Sequence, residues 1–231
     1  MSDKHSATRD SSPSNRGRRS RFAKIRVGAF VILTSLLTVW LAEVLWAGGM
    51  KDRYVPKAFE EVVSGRLFRS GQISRWLIDD VLKENNIRII IYFNHNAEEK
   101  NRHQKKELDV AWNYRIAYTE LPMPNHGMGD IHRYAEALAV IQHYDRLNQP
   151  ILIHDESGNR AVSIAVAFYR LLIQKWDMED VTSELLAKGW PIEDRPMLRN
   201  YFNDYLPVLC EKLVRMKVLN KIPEKIPEFH F

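Results

Sequence analysis

A chain of 231 residues with 45% hydrophobic and 27% charged residues suits one ordinary globular domain plus appendages. The net charge of +5 is uneven: residues 1–26 hold eight Lys/Arg against two Asp, and the other 26 basic and 27 acidic residues nearly cancel, so the domain carries no charge signature for nucleic acid. A single cysteine, Cys210, excludes an intramolecular disulfide and a multi-cysteine metal site, and reads as a small core residue of a C-terminal helix.

Residues 1–26 read as a disordered, basic tail ending in the cluster Arg16, Arg18, Arg19, Arg21, Lys24 and Arg26. Residues 27–47 carry no charge apart from Glu43, near the far end. As a helix, these 21 residues reach across about 30 Å of hydrocarbon. Trp40 and Trp46 suit the far boundary. The expectation is a single-pass membrane protein, its basic N-terminus cytoplasmic and its domain on the non-cytoplasmic (periplasmic or equivalent) side. Two other readings stay open: a cleaved secretory signal with Ala47-Gly48-Gly49 at the cut, and a buried soluble helix.

Residues 48–64 are expected to be a linker. Beyond it, Leu67-Phe68-Arg69 suggests a short strand. Ser74 is placed to cap a helix running to about Asn85, with Trp76, Leu77, Val81 and Leu82 on one face. Ile89 to Phe93, largely β-branched, suggests a buried strand. Glu98 to Trp112 suggests a surface helix whose charges, through Glu107, face solvent. Then come a strand over Tyr114 to Leu121, a loop over Pro122 to Gly129, a helix over Ile131 to Leu147 and a strand over Pro150 to Ile153. Helices over about Arg160 to Gln174, Met178 to Lys188 and Arg195 to Leu219 close the domain. Residues 220–231, with two prolines, suggest an extended tail. The alternation implies an α/β three-layer sandwich with a central, mostly parallel sheet, over residues 65–219. Trp112, Trp176 and Trp190 are expected in the core or at its rim.

The loop His154-Asp155-Glu156-Ser157-Gly158-Asn159-Arg160-Ala161 sits between an apolar strand and the apolar helix from Val162. A strand-loop-helix turn at the carboxyl edge of such a sheet offers free backbone N–H groups and the positive end of a helix dipole. Position alone makes residues 155–161 a candidate anion site, against the plainer reading of an ordinary turn. His154-Asp155 ends a strand, so it does not suit a helical His-Asp metal dyad; no metal or other cofactor is expected. His126 and His132 are expected to be loop and surface residues.

Three stretches resemble the dual-specificity branch of the cysteine-dependent protein tyrosine phosphatases. Val62 to Gln72 is similar to the opening segment "V-x-x-G-x-L-Y-R-S-G-Q" of many bacterial and plant members. Leu121-Pro122-Met123-Pro124 is similar to the lead into the general-acid loop. Pro150 through Arg170 resembles "P-V-L-V-H-C-x-x-G-x-D-R-T-G-x-x-V-A-L-Y-R". In that family a cysteine thiolate attacks phosphorus, an arginine six residues later clamps the phosphoryl oxygens, and an aspartate on another loop protonates the leaving group.

The resemblance puts Asp155 at the nucleophile position and Ala161 at the clamp arginine. Val162 replaces the following Ser/Thr. Asn125 falls near the general acid, with Asp130 a nearby carboxylate. A second alignment, to a shorter-loop group reading "H-C-x-S-G-N-R", makes Arg160 the clamp instead. Neither restores the cysteine. Asp155 can itself accept the loop N–H bonds as a built-in anion, and Arg160 can then pair with Asp155 or Glu156. The implied protein is an inactive pseudophosphatase with a binding or regulatory role toward a phosphorylated or anionic ligand or a protein partner. The alternatives are a hydrolase of altered mechanism using Asp155, Asp130 and Arg160, and a structural envelope protein.

Overall fold

The computed structural model describes residues 32–46, 50–95, 101–124, 128–190 and 192–230. The chain divides into two units, residues 1–51 and 52–231. In the first, residues 32–46 are helical and exposed throughout. No helix of the described residues is long and apolar enough to cross a membrane. The expected span of 27–47 runs at both ends into residues outside the described set.

The second unit is a five-stranded sheet between two helical layers. Its strands are β1 (Glu60–Val63), β2 (Leu67–Ser70), β3 (Ile89–Asn94), β4 (Ala117–Pro122) and β5 (Ile151–His154), in the order β1-β2-β5-β3-β4. β1 runs antiparallel to β2, and all other pairs are parallel. β3 and β5 are buried at every position because both sheet faces are covered, hence the apolar runs Ile89 to Phe93 and Ile151 to Ile153. β5, flanked by β2 and β3, delivers His154 to the middle of the sheet's carboxyl edge.

The helices are α1 (Ile78–Glu84), α2 (Arg102–Asn113), α3 (Ile131–Arg146), α4 (Ala161–Phe168), α5 (Met178–Ala187) and α6 (Arg195–Arg215). One sheet face, with Phe68, Ile90 and Leu152, packs against α1 and α2. The other, with Ile89, Ile91, Phe93, Ile151 and Ile153, packs against the remaining helices. α4 has no polar stripe and is buried at all positions; a helix apolar all round is stable only inside. It passes into a π turn, Tyr169–Ile173. There Arg170 donates to both Glu184 oxygens at 3.0 Å, tying that turn to α5.

Several expectations are corrected. Residues 60–63, assigned to the linker, form edge strand β1 with Val62 buried. Ser74 does not cap its helix: α1 starts at Ile78, and the Ser74 hydroxyl has no hydrogen-bond partner. α2 starts at Arg102, because the Asn101 side chain accepts from the N–H groups of His103 and Gln104 at 2.8 and 2.9 Å. Glu107 is fully buried, and Trp112 is 84% exposed. Cys210, by contrast, is in the core as expected, and burial there pushes its thiol pKa up.

The extended tail is keyed into the domain. Phe229 is fully buried, its ring 4.2 Å from that of Phe202. Its N–H donates to Asn203 Oδ1 at 2.8 Å, and its carbonyl accepts from Asn203 Nδ2 at 3.1 Å. Truncating a buried phenylalanine leaves a cavity. Phe229→Ala is therefore expected to cost about 3 kcal/mol, read as a lower urea midpoint at unchanged slope.

Candidate functional site

The loop from β5 to α4 closes around the side chain of its first residue. The Asp155 carboxylate is 1% exposed. Its Oδ1 accepts from the Ser157 N–H at 2.8 Å, the Ser157 hydroxyl at 3.1 Å and the Gly158 N–H, and its Oδ2 accepts from the Val162 N–H at 3.3 Å. Ser157 relays the network, its Oγ accepting from the Asn159 N–H at 3.1 Å. The donors are the inward N–H groups of the loop and the open first turn of α4, so the carboxylate neutralises the positive end of the helix as a bound anion would. Arg160, the residue before α4, offers no side-chain cap.

Gly158 makes this turn possible. At φ +83° it adopts a backbone that other residues rarely reach, and a Cβ there would lie 2.6 Å from the Gly71 nitrogen and 2.8 Å from the Ala58 Cβ. Gly71 is equally tight, its Cβ position lying 2.8 Å from the Ser157 carbonyl oxygen. The two loops are also stitched by backbone: Gln72 N–H to the Glu156 carbonyl at 3.2 Å, and Gly71 N–H to that of Lys57 at 2.8 Å.

Two charged residues support the loop from behind. Arg69 of β2, 3% exposed, donates from Nη2 to the Gly158 carbonyl at 2.7 Å and to Ser163 Oγ at 2.6 Å. Burial lowers its pKa, while the charges of Glu60, Glu184 and Asp155 pull the other way. Glu107 of α2 accepts from the Tyr118 hydroxyl at 2.9 Å and Gln72 Nε2 at 3.0 Å, and its Oε1 lies 3.0 Å from His154 Nε2. His154 stacks on Tyr92 at 4.6 Å. Burial beside Glu107 pushes the Tyr92 hydroxyl up to about 12. His154 Nδ1 has no partner. A proton on Nε2 satisfies Glu107 and leaves only an unfilled acceptor, cheaper than an orphaned N–H.

A cavity of about 310 Å³ opens over the loop, lined among others by Lys57, Asp155, Glu156, Arg160, Ala161 and Trp190. Arg160 is exposed, and among the described residues its guanidinium pairs with neither Asp155 nor Glu156, contrary to expectation. Ala161, buried as the first residue of α4, brings a methyl group to the cavity. Lys57 reaches across to the Glu156 carbonyl at 3.1 Å. Glu156 and Asn159 are exposed. Asp130 instead caps α3, accepting from the His132 N–H at 2.8 Å, and is not among the cavity's lining residues. Asn125 and His126 lie outside the described residues. His132 is exposed, its Nδ1 2.7 Å from Lys212 Nζ. No cluster of three or more metal-ligating side chains occurs among the described residues. Sequence reasoning missed Arg69 and Glu107 as supports, and missed Lys57.

No protein-family model matches the chain. The chain is 30% identical over 91 residues to the dual specificity protein phosphatase TpbA of Pseudomonas aeruginosa. That match covers 38% of this chain and spans 41% of the relative's length. Among solved structures, the core catalytic domain of the PP-IP phosphatase SIW14 from S. cerevisiae, in complex with citrate, matches 66% of this chain and 96% of its own, with a TM-score of 0.51 and 20% identity. PTPMT1 in complex with PI(5)P matches 70% of this chain and 98% of its own, with a TM-score of 0.50 and 15% identity. The domain therefore has a phosphatase-like α/β fold and is related in sequence to a dual-specificity phosphatase.

Replacing Asp155 by Ala strands three backbone donors at a buried helix start. Charge-assisted hydrogen bonds of this kind contribute about 1.5–3 kcal/mol each, and water re-satisfies part of the set. Asp155→Ala is expected to lose about 3 kcal/mol and Asp155→Asn about half that, read by chemical denaturation.

Proposed function

We propose that this protein is a catalytically inactive phosphatase-like domain, a pseudophosphatase, anchored in a membrane through residues 27–47 and serving binding or regulation on the non-cytoplasmic side. The carrying observation is the engaged carboxylate of Asp155 inside the loop. A phosphate dianion brought to the same amides meets a fixed negative charge. Each like-charge pair at 4 Å costs about 1 kcal/mol in water and about 4 at a surface-like dielectric. Ala161 adds no compensating cation at the loop's end.

The second reading, a hydrolase using Asp155 as nucleophile, is disfavoured by the same geometry. Three donors crowd Oδ1, Oδ2 accepts a further bond from the Val162 N–H at 3.3 Å, and the residue is only 1% exposed, which leaves the carboxylate little freedom to swing toward phosphorus. Arg160, exposed on the cavity wall, supports a role for the cavity in receiving an anionic group at its mouth. The anchor reading is supported by residues 32–46: a helix whose apolar side chains, Leu33, Leu36, Leu37, Trp40 and Leu41 among them, are all exposed needs an apolar environment.

The full chain is expected to show no turnover of an aryl phosphate above buffer, with or without divalent metal ions. Turnover abolished by Asp155→Asn would overturn the inactive reading. Vacating the loop should create a phosphate site. Millimolar phosphate is expected to raise the melting temperature of Asp155→Ala by about 2–4 °C and leave the unsubstituted protein unchanged. Alkaline extraction of membranes tests the anchor, which predicts retention in the pellet.

A further inference from the structure

Just ahead of α1, two guanidinium groups lie over one indole. Arg53 Cζ is 4.7 Å and Arg75 Cζ 4.3 Å from the centre of the Trp76 ring, which is half exposed. All three residues belong to the unit spanning residues 52–231. Neither arginine has a carboxylate partner among the described residues. Asp79, the nearest carboxylate of α1, is engaged by Lys83 at 3.1 Å. Asp52, adjacent to Arg53, and Asp80 of α1 are exposed, and among the described residues neither forms a salt bridge with Arg53 or Arg75. Two like charges gathered at one ring repel, and an anion beside them relieves that repulsion. A guanidinium over an indole face keeps N–H groups that can donate to an anion.

The chain supplies the occupant. Arg53 follows Trp46, the last described residue of the exposed apolar helix, by seven positions, which allows at most about 25 Å between them. Tryptophan flanked by arginine is the combination that settles at the boundary of a bilayer, the ring among the headgroups and the cations on phosphate. We propose that Arg53, Arg75 and Trp76 form a patch that docks the domain onto an anionic phospholipid surface. This rests on the membrane reading above. It adds a second, non-covalent contact to the anchor, and the patch adjoins the site through the segment from Arg53 to Lys57, whose last residue lines the cavity over Asp155.

The test uses the full chain in phosphatidylcholine vesicles with and without phosphatidylglycerol. Quenching of Trp76 by aqueous acrylamide is isolated by subtracting the Trp76→Phe signal. Trp76 is expected to be shielded on phosphatidylglycerol vesicles and open on phosphatidylcholine alone. Arg53→Gln with Arg75→Gln, both at surface positions, should weaken the shielded state about thirtyfold. Equal accessibility in the two lipids overturns the proposal, as does shielding that survives the double substitution. Alkaline extraction of the same vesicles reads the anchor separately. If the chain is released, its cosedimentation with the two vesicle types decides: a preference for phosphatidylglycerol lost in the double variant supports the patch, and equal binding overturns it.

Discussion

The domain's central constraint is the hydrogen bonding of one carboxylate. A loop that turns its N–H groups inward, at the start of a helix with no side-chain cap, must present them to an acceptor or lose several kcal/mol of solvation. Asp155 meets that demand from within, through both oxygens. The positive end of α4, a helix too apolar to sit anywhere but the core, thereby faces a carboxylate that accepts from its Val162 N–H.

The rest of the site keeps this carboxylate in register. β5 delivers Asp155 to the middle of the sheet edge, between β2 and β3. Arg69 on β2 grips the loop at the Gly158 carbonyl and the first turn of α4 at Ser163. Glu107 of α2 collects Tyr118, Gln72 and His154 into one buried polar cluster under the end of β5. Buried polar groups are expensive unless fully paired, so such clusters favour one arrangement over its neighbours. Arg69 and Glu107 thus position the loop from opposite faces of the sheet.

Much of this architecture was legible in the chain. Ile89 to Phe93 and Ile151 to Ile153 are unbroken apolar runs, and a parallel strand covered on both faces cannot look otherwise. Gly158 between a strand and an apolar helix marked the turn. β1 escaped notice because Glu60-Glu61-Val62-Val63 is a short edge strand with one face in water. Glu107 escaped because its charge suggested solvent, although Gln104, Glu107, Val110 and Ala111 share one helical stripe. Ser74 looked like a cap and Trp112 like core for reasons of type alone; packing overrode both. Arg69 meets Gly158 across 89 positions and Lys57 meets Glu156 across 99, and no local period encodes such meetings.

The interlock of Gly71 with Gly158 has an implication for how this protein changes over generations. A Cβ at Gly158 would meet the Gly71 nitrogen and a Cβ at Gly71 would meet the Ser157 carbonyl, so a side chain at either position runs into the backbone of the facing loop. A cradle held this way keeps its shape whether or not a reaction takes place in it. Its contour is preserved by crowding, and inheritance of the shape carries no message about whether chemistry is still being selected.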